Sequence, residues 1–436
     1  MTKNVACAAL AAVLAAAPLS AQVPLSSRAL GMGGAYIGVA RGQESLYQNP
    51  ANLGLPNSPH WSVSFPTLAL GAQSVGVTPG QVWDLVNYND LDDAERQEIL
   101  DDIPSDGTGV EGYLRAPLIS MQIRRLAFGV TYGIQGEHSI NKSLVDLVLN
   151  GFDQSKLAQY NIQNTAGSRA SFWDFHAGYG TRVGPLALGA TGHYFLPRDR
   201  VRSAFVNQRT VFNNAVPTDV EVTYAGLQAK GGNGYGLDLG AAMEPIPGLT
   251  LGVAVDNVVN TMKWNDDNMR IRSVTLNSAD YDDGDPEAIL ARYEDSETEF
   301  DLDATTVSPA INALAQSLRG DLELAMPTTL RVGGAYVLPT RTTIGASYTS
   351  ELGDASPVSA LWRNQLSLGV QQKLPIITLR AGVATDGESG NMLSGGVSLG
   401  PIQFGIARLH TGKDNDERNG WVSTISLSGR ADTTMP

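Results

Sequence analysis

From Leu126 to Gln135 the chain alternates without a break. Leu126, Phe128, Val130, Tyr132 and Ile134 fall on one face, and Ala127, Gly129, Thr131, Gly133 and Gln135 on the other. A strand with one greasy face and one small or polar face suits a wall between lipid and a packed or wet interior. Similar segments recur at about 61–70, 115–124, 126–136, 169–182, 185–196, 232–244, 248–258, 327–338, 341–350, 362–373, 376–385, 391–399, 401–411 and 420–430, fourteen in all. A soluble sandwich also alternates, so the connections must discriminate. Short ones (Arg124-Arg125, Val183 to Pro185, Pro245 to Gly248, Pro339-Thr340, Leu374-Pro375, Gly400-Pro401) alternate with long ones at about 71–114, 137–168, 197–231, 259–326, 351–361, 386–390 and 412–419. Tight periplasmic turns and longer outer loops give an outer-membrane barrel this pattern, and an even strand count returns both termini to the periplasmic side. The chain therefore reads as all-β, a transmembrane antiparallel β-barrel of about fourteen strands over residues 59–430. The alternating stretch Asp219 to Ala225 is assigned to a hairpin within an outer loop, which keeps the count even.

The start of the chain supports export. Lys3, the apolar run Val5 to Ala17 and the small residues Leu19-Ser20-Ala21 make a signal peptide over residues 1–21. Cys7, the one cysteine, lies inside it, so the mature chain has neither disulfides nor cysteine metal motifs. No later stretch approaches the ~18 apolar residues of a membrane-spanning helix, and a closed barrel is the remaining way across. Charged residues are 17% of the chain, against about 25% in typical soluble domains. The net charge of −14 argues against a nucleic-acid partner. Lys3 is the only charge among the first 21 residues, so the mature chain is more acidic still, with much of the excess in outer loops that cations bound to lipopolysaccharide can screen.

Aromatic residues cluster near strand ends (Trp61, Trp173, Tyr179, Tyr194, Tyr235, Tyr336, Tyr348, Trp362, Trp421), as an interfacial girdle requires. The long loops carry helices. Ser308-Pro309 caps and opens one that ends at Gly320, with Ile311, Leu314 and Leu318 on one face. Others are read from Thr78-Pro79 through Val86, from Ala94 to Ile103 and from Ser143 to Leu149. Helical loops with apolar faces imply a folded cap over the mouth.

Near the N-terminus, Gly31-Met32-Gly33-Gly34-Ala35-Tyr36-Ile37-Gly38-Val39-Ala40 is followed by Tyr47-Gln48-Asn49-Pro50-Ala51-Asn52-Leu53. These two stretches resemble the N-terminal signature of the FadL-type outer-membrane superfamily, which includes long-chain fatty-acid and hydrocarbon transporters and PorV-like barrels associated with protein secretion. The resemblance implies an N-terminal hatch, here residues 22–58, lodged in a fourteen-stranded barrel. It also implies passive uptake of a hydrophobic small molecule through an outer membrane of lipid and lipopolysaccharide. The alternative it implies is a non-transporting barrel that serves as scaffold or shuttle for exported proteins, with a secretion-system protein as partner. Physically, Gly31, Gly33 and Gly34 allow close backbone approach in a crowded lumen. Asn49 bonds its own backbone two residues on, beside Pro50, which presets the turn, and Ala51. These residues are expected to pack the hatch rather than touch a ligand.

Seven ionisable residues on small-residue faces should point into the lumen: Asp174, His176, His193, Asp238, Asp256, Arg331 and Arg380. They line a route or, more simply, pair with one another and hold strand register, since an unpaired interior charge is costly. His176 and His193 lie on adjacent strands, but two histidines without a third ligand make no metal site, and none is expected. The acidic run Asp280, Asp282, Asp283, Asp285, Glu287 lacks the regular calcium-loop spacing and reads as solvated loop, as does Asp414-Asn415-Asp416. Gly-x-Ser-x-Gly, His-Glu-x-x-His and Gly-Lys-Ser/Thr motifs are absent, which points away from an enzyme and from nucleotide cofactors. After Arg430 comes a short polar tail, residues 431–436.

Overall fold

A computed structural model describes residues 26–75, 91–105, 107–150, 165–213, 216–267, 269–277, 286–300, 308–323, 326–352, 364–388, 390–412 and 418–431. The signal peptide, the segment from Thr78 to Val86, Trp362, the acidic residues Asp280 to Asp285, Asp414 to Asp416 and nearly all of the tail lie outside the described residues.

The wall is a closed antiparallel barrel of fourteen strands. In ring order these are β1 (Trp61–Val75), β2 (Thr108–Ile123), β3 (Leu126–Ile140), β4 (Ala166–Val183), β5 (Leu186–Asn213), β7 (Gly232–Ile246) and β8 (Leu249–Trp264). The ring continues through β11 (Thr328–Val337), β12 (Thr342–Leu352), β13 (Asn364–Lys373), β14 (Ile377–Thr385), β15 (Asn391–Leu399), β16 (Ile402–Thr411) and β17 (Arg418–Ala431). Pairing of β17 with β1, from Ala431 opposite Trp61 to Arg418 opposite Val75, closes it. Closure removes the free edges that would leave backbone groups unpaired in lipid.

The alternation at Leu126–Gln135 appears as expected: Leu126 and Phe128 are exposed, and Ala127, Gly129, Thr131, Gly133 and Gln135 are buried. The same pattern repeats round the ring, so the exposed residues include Leu188, Leu251, Ile344, Leu368, Leu393, Phe404 and Ile425. No described helix is long and apolar enough to cross a membrane. Aromatics that are half-buried or exposed sit side by side on neighbouring strands. Tyr132 packs on Trp173 with ring centroids 4.7 Å apart, and Tyr194 is the direct cross-strand partner of Tyr235.

Five of the six short turns use left-handed backbone, at Gly184, Gly248 and Gly400 and, without glycine, at Arg124 and Arg341. At the other end the strands run further than the alternation suggests. β5 has 28 residues, and beyond Asp199 it leaves β7 and pairs with β6 (Val216–Lys230). β6 pairs with β9 (Arg270–Leu276), which pairs with the two-residue β10 (Thr298–Glu299). The stretch around Asp219 to Ala225 thus belongs to a cap hairpin and not to the wall, and the count stays even. Much of what reads as loop over 197–231 is β-structure because the strands continue beyond the apolar band.

Inside the ring lies the N-terminal segment: α1 (Ser27–Gly31), a 3-10 turn at Gly42–Glu44, α2 (Ser45–Gln48) and a second 3-10 turn at Pro50–Gly54. Almost every residue from Ser27 to Leu55 is buried or half-buried. It contacts the wall main chain to main chain. A Cβ on Gly189 would stand 2.3 Å from the Pro50 carbonyl carbon, and one on Gly382 2.2 Å from that of Met32. In the connections between strands the described helices are α3 (Asp93–Asp102), α4 (Lys142–Asn150), α5 (Pro286–Asp295) and α6 (Pro309–Gly320). Ser308 caps α6 through a hydrogen bond from the Ile311 amide, and Leu314 and Leu318 are buried beneath it.

Candidate functional site on the inner wall

Three layers stack along the inner face of β4 and its neighbours. The innermost is the docked hatch. Asn49 Oδ1 accepts from the Ala51 amide at 3.0 Å, while its Nδ2 donates to the carbonyls of Ala241 and Val253 at 3.0 and 3.2 Å. One side chain thus shapes the Asn-Pro-Ala turn and anchors it to β7 and β8. Gly33 and Gly34 have φ of +65° and +85°, and a Cβ on Gly31 would come within 3.0 Å of the Gly396 Cα. These positions serve backbone shape and close approach.

The middle layer is ionic. His176 and His193 are direct cross-strand partners, and Asp174 lies two residues from His176 on the same face. His176 Nδ1 is 3.1 Å from Asp174 Oδ2, and His193 Nδ1 is 3.0 Å from Asp174 Oδ1. His193 Nε2 is 3.0 Å from Asp238 Oδ2, and Asp238 Oδ1 accepts from the Asn257 amide at 2.7 Å. Asn257 takes a left-handed conformation, φ +55°, where β7 and β8 slip register. Next to it the Arg331 guanidinium lies 2.7 Å from Asp256 Oδ2, and its Nη1 donates to the Tyr47 carbonyl at 2.6 Å. The Tyr47 hydroxyl sits 2.5 Å from Ser120 Oγ and 3.2 Å from His176 Nε2. Burial pushes the Tyr47 phenol up to about 12, so it remains a neutral hydrogen-bonding group.

Six of the seven expected ionisable residues therefore meet in one network that joins five strands to the hatch. Arg380 does not. It stands on β14, donating to Gln371 Oε1 at 2.8 Å and Ser398 Oγ at 2.7 Å. The sequence reading passed over Tyr47, Gly129 and Arg115. Tyr47 lies inside the hatch signature but carries no local sign of its partners. Gly129 gives His176 its space, since a Cβ there would fall 2.3 Å from Nε2. Arg115 is half-buried with its guanidinium 4.7 Å over the Phe172 ring.

The outer layer is apolar. Phe172 and Phe195 follow Asp174 and His193 outward on their strands; their centroids are 6.1 Å apart, and His193 stacks on Phe195 at 5.7 Å. They join a buried cluster with Met262, Trp264, Met326 and Leu318 that lies between the wall and α6. Two arginines fasten the C-terminal end of α6 to the mouth. Arg200 Nη2 and Arg202 Nη2 lie 3.1 and 2.5 Å from Asp321 Oδ2.

This architecture matches that of known barrels. The Pseudomonas putida toluene transporter TodX superposes with a TM-score of 0.51 at 12% identity, covering 94% of this chain and 99% of that one. The deltaS2S3 mutant of TodX, a monoaromatic hydrocarbon channel, gives 0.52 at 12% identity, covering 93% and 98%. The chain has the FadL-type barrel fold. Residues 199–407 match a family of unknown function, DUF5723, a span running from the cap portion of β5 to β16. No curated protein matches the sequence. At such identities the likeness is one of fold.

Proposed function

We propose that the protein is an outer-membrane channel for passive uptake of a hydrophobic small molecule, of hydrocarbon or fatty-acid type. The observation that carries this reading is the apolar layer. A ring-closed wall needs small and polar residues inside to hold a hatch, yet Phe172, Phe195, Met262, Trp264 and Met326 form a continuous greasy cluster under a helical cap. Transfer of an apolar molecule from water into such a layer is favourable by about 25 cal/mol per Å² buried. Methionine and aromatic side chains adapt to ligands of varied shape. The cap captures the molecule, the layer shields it, and displacement of the hatch opens the way to the periplasm. No nucleotide or cofactor drives this; the concentration gradient does. The fold shared with toluene transporters supports the reading, as does the exposed apolar band, which suits surroundings of membrane lipid and lipopolysaccharide. Export by the N-terminal signal belongs to the same proposal. No contact among the described residues favours the alternative of a barrel serving secreted proteins.

The test compares uptake of a radiolabelled monoaromatic hydrocarbon and a long-chain fatty acid by cells with and without the protein, and with Trp264→Asp. Faster uptake of one class, lost in W264D while the folded protein stays in the outer membrane, is the expected result. Equal rates with and without the protein, for both classes, would sink the proposal.

A further inference from the structure

We propose that Asp174, His176 and His193 form a binding site for one divalent first-row transition ion on the inner wall, a role separate from uptake of an apolar molecule. Absence of a third ligand argued against metal in the sequence. The fold supplies it: alternate residues on β4 and a direct cross-strand partner on β5 bring two imidazoles and a carboxylate together. One ligand atom from each lies within 4.8 Å of the others. Both rings turn the same nitrogen, Nδ1, toward Asp174, at 3.1 and 3.0 Å. With metal–ligand bonds of about 2.0–2.1 Å, neighbouring donors in a tetrahedral site are roughly 3.3–3.5 Å apart. The two nitrogen–oxygen separations fall a little short of that edge and all three donor atoms lie within 4.8 Å of one another, so modest shifts of the three groups admit an ion.

The surroundings complete the argument. A metal-bound histidine almost always gives its other ring nitrogen to a carboxylate, carbonyl or similar partner that fixes the ring. His193 Nε2 has Asp238 Oδ2 at 3.0 Å, and Asp238 is itself held by the Asn257 amide at 2.7 Å. His176 Nε2 has the Tyr47 hydroxyl at 3.2 Å. The His176 side chain is fully enclosed, whereas those of His193 and Asp174 retain 12% and 14% exposure, which leaves a side for entry and for a water ligand. Two imidazoles with one carboxylate select zinc, nickel, cobalt or copper over magnesium and calcium, which prefer all-oxygen sites. Because His176 also meets Tyr47, an ion there is coupled to the hatch.

The experiment uses full-length mature protein without a histidine tag, purified in detergent and stripped with chelator. Titration with Co²⁺ is followed by visible absorption and metal content, with Zn²⁺ as competitor. One Co²⁺ per barrel, displaced by one Zn²⁺, is expected. Affinity should fall at least about 100-fold in His176→Gln and His193→Gln and about 10- to 100-fold in Asp238→Asn, the size of effect that loss of an outer partner has. His60→Gln and His410→Gln should leave it unchanged. Electron spin-echo spectroscopy of the Cu²⁺-loaded wild type counts coupled imidazoles without any variant, so a folding failure does not remove the test; two are expected. No stoichiometric binding, binding indifferent to H176Q and H193Q, or fewer than two coupled imidazoles would each overturn the proposal.

Discussion

The two halves of the barrel use one alternating code for different ends. From β11 to β16 each strand has 9 to 11 residues, about the length that crosses a bilayer when tilted. From β1 to β8 the wall strands have 15 to 28. The surplus rises past the apolar band and builds the cap. The hatch divides in the same way. Its first part, through Gly38, lies on glycines of the short half, such as Gly345, Gly369 and Gly382. Its second part, from Asn49 to Gly54, lies on β4, β5 and β7. The ionic layer and the apolar layer belong almost wholly to the long half, with Arg331 reaching in from the edge of the other. Spanning a membrane needs only the short design; the added length carries the chemistry.

The sharpest way to break this comparison is at its seam, where Arg331 on β11 faces Asp256 on β8. Arg331→Met leaves an enclosed carboxylate unpaired and detaches the Tyr47 carbonyl, a loss of about 3–5 kcal/mol for a broken buried pair. Urea unfolding monitored by tryptophan fluorescence should record it, and Asp256→Leu in the same chain should restore most of it. If R331M unfolds like the wild type, the seam is not where the halves are tied.

Gly382→Val tests the short half as a seat for the hatch. Its Cβ would collide with the Met32 main chain, and overpacking costs typically about 1–3 kcal/mol. Here the hatch is the part free to yield. Cleavage by trypsin at Arg28 or Arg41 should accelerate and single-channel conductance in planar bilayers should rise. Unchanged conductance and unchanged cleavage would mean that the hatch is held from the long half alone.

Smaller effects are expected in the cap. Removing the α6 cap with Ser308→Ala should cost about 1 kcal/mol, seen as faster amide exchange across Pro309–Gly320 with the wall strands unaffected. The least is expected at Glu297, whose carboxyl is held below its ordinary range by hydrogen bonds from Arg272, one of them 2.9 Å long. A lowered folded pKa means stability present above the unfolded value of about 4.3 and lost as pH falls through the folded one. Protection of the β9 amides, measured against the intrinsic exchange rate at each pH, should therefore fall between neutral and strongly acidic pH. No change there would remove this carboxylate from the forces that hold the cap.

How much was legible follows from how local each feature is. Strand number and sidedness rest on a period of two and on turn residues, both written in consecutive positions. Even the His176–His193 encounter was open to counting, because the tight turn at Gly184-Pro185 sets Val183 opposite Leu186 and the same register runs back to the two rings. The third member, Asp174, stood on the same face. Asp256 and Arg331 are a different case: a long excursion separates β8 from β11, so no hairpin fixes their register. Tyr47 reaches Ser120, His176 and Arg331 only because the hatch folds inside the ring. Nor does any local signal announce that β5 continues to Asn213, well past the end of the lipid-facing pattern near residue 196.

The glycine seats bear on how the molecule comes into being. The hatch precedes β1 in the chain, while the ring is sealed by the last strand against the first. Wall and hatch leave less than a methyl group between them at Gly189, Gly345 and Gly382. A cylinder with so little clearance is cast around its own leading segment: the open sheet curls over a form already in place, and the final seam fixes both at once.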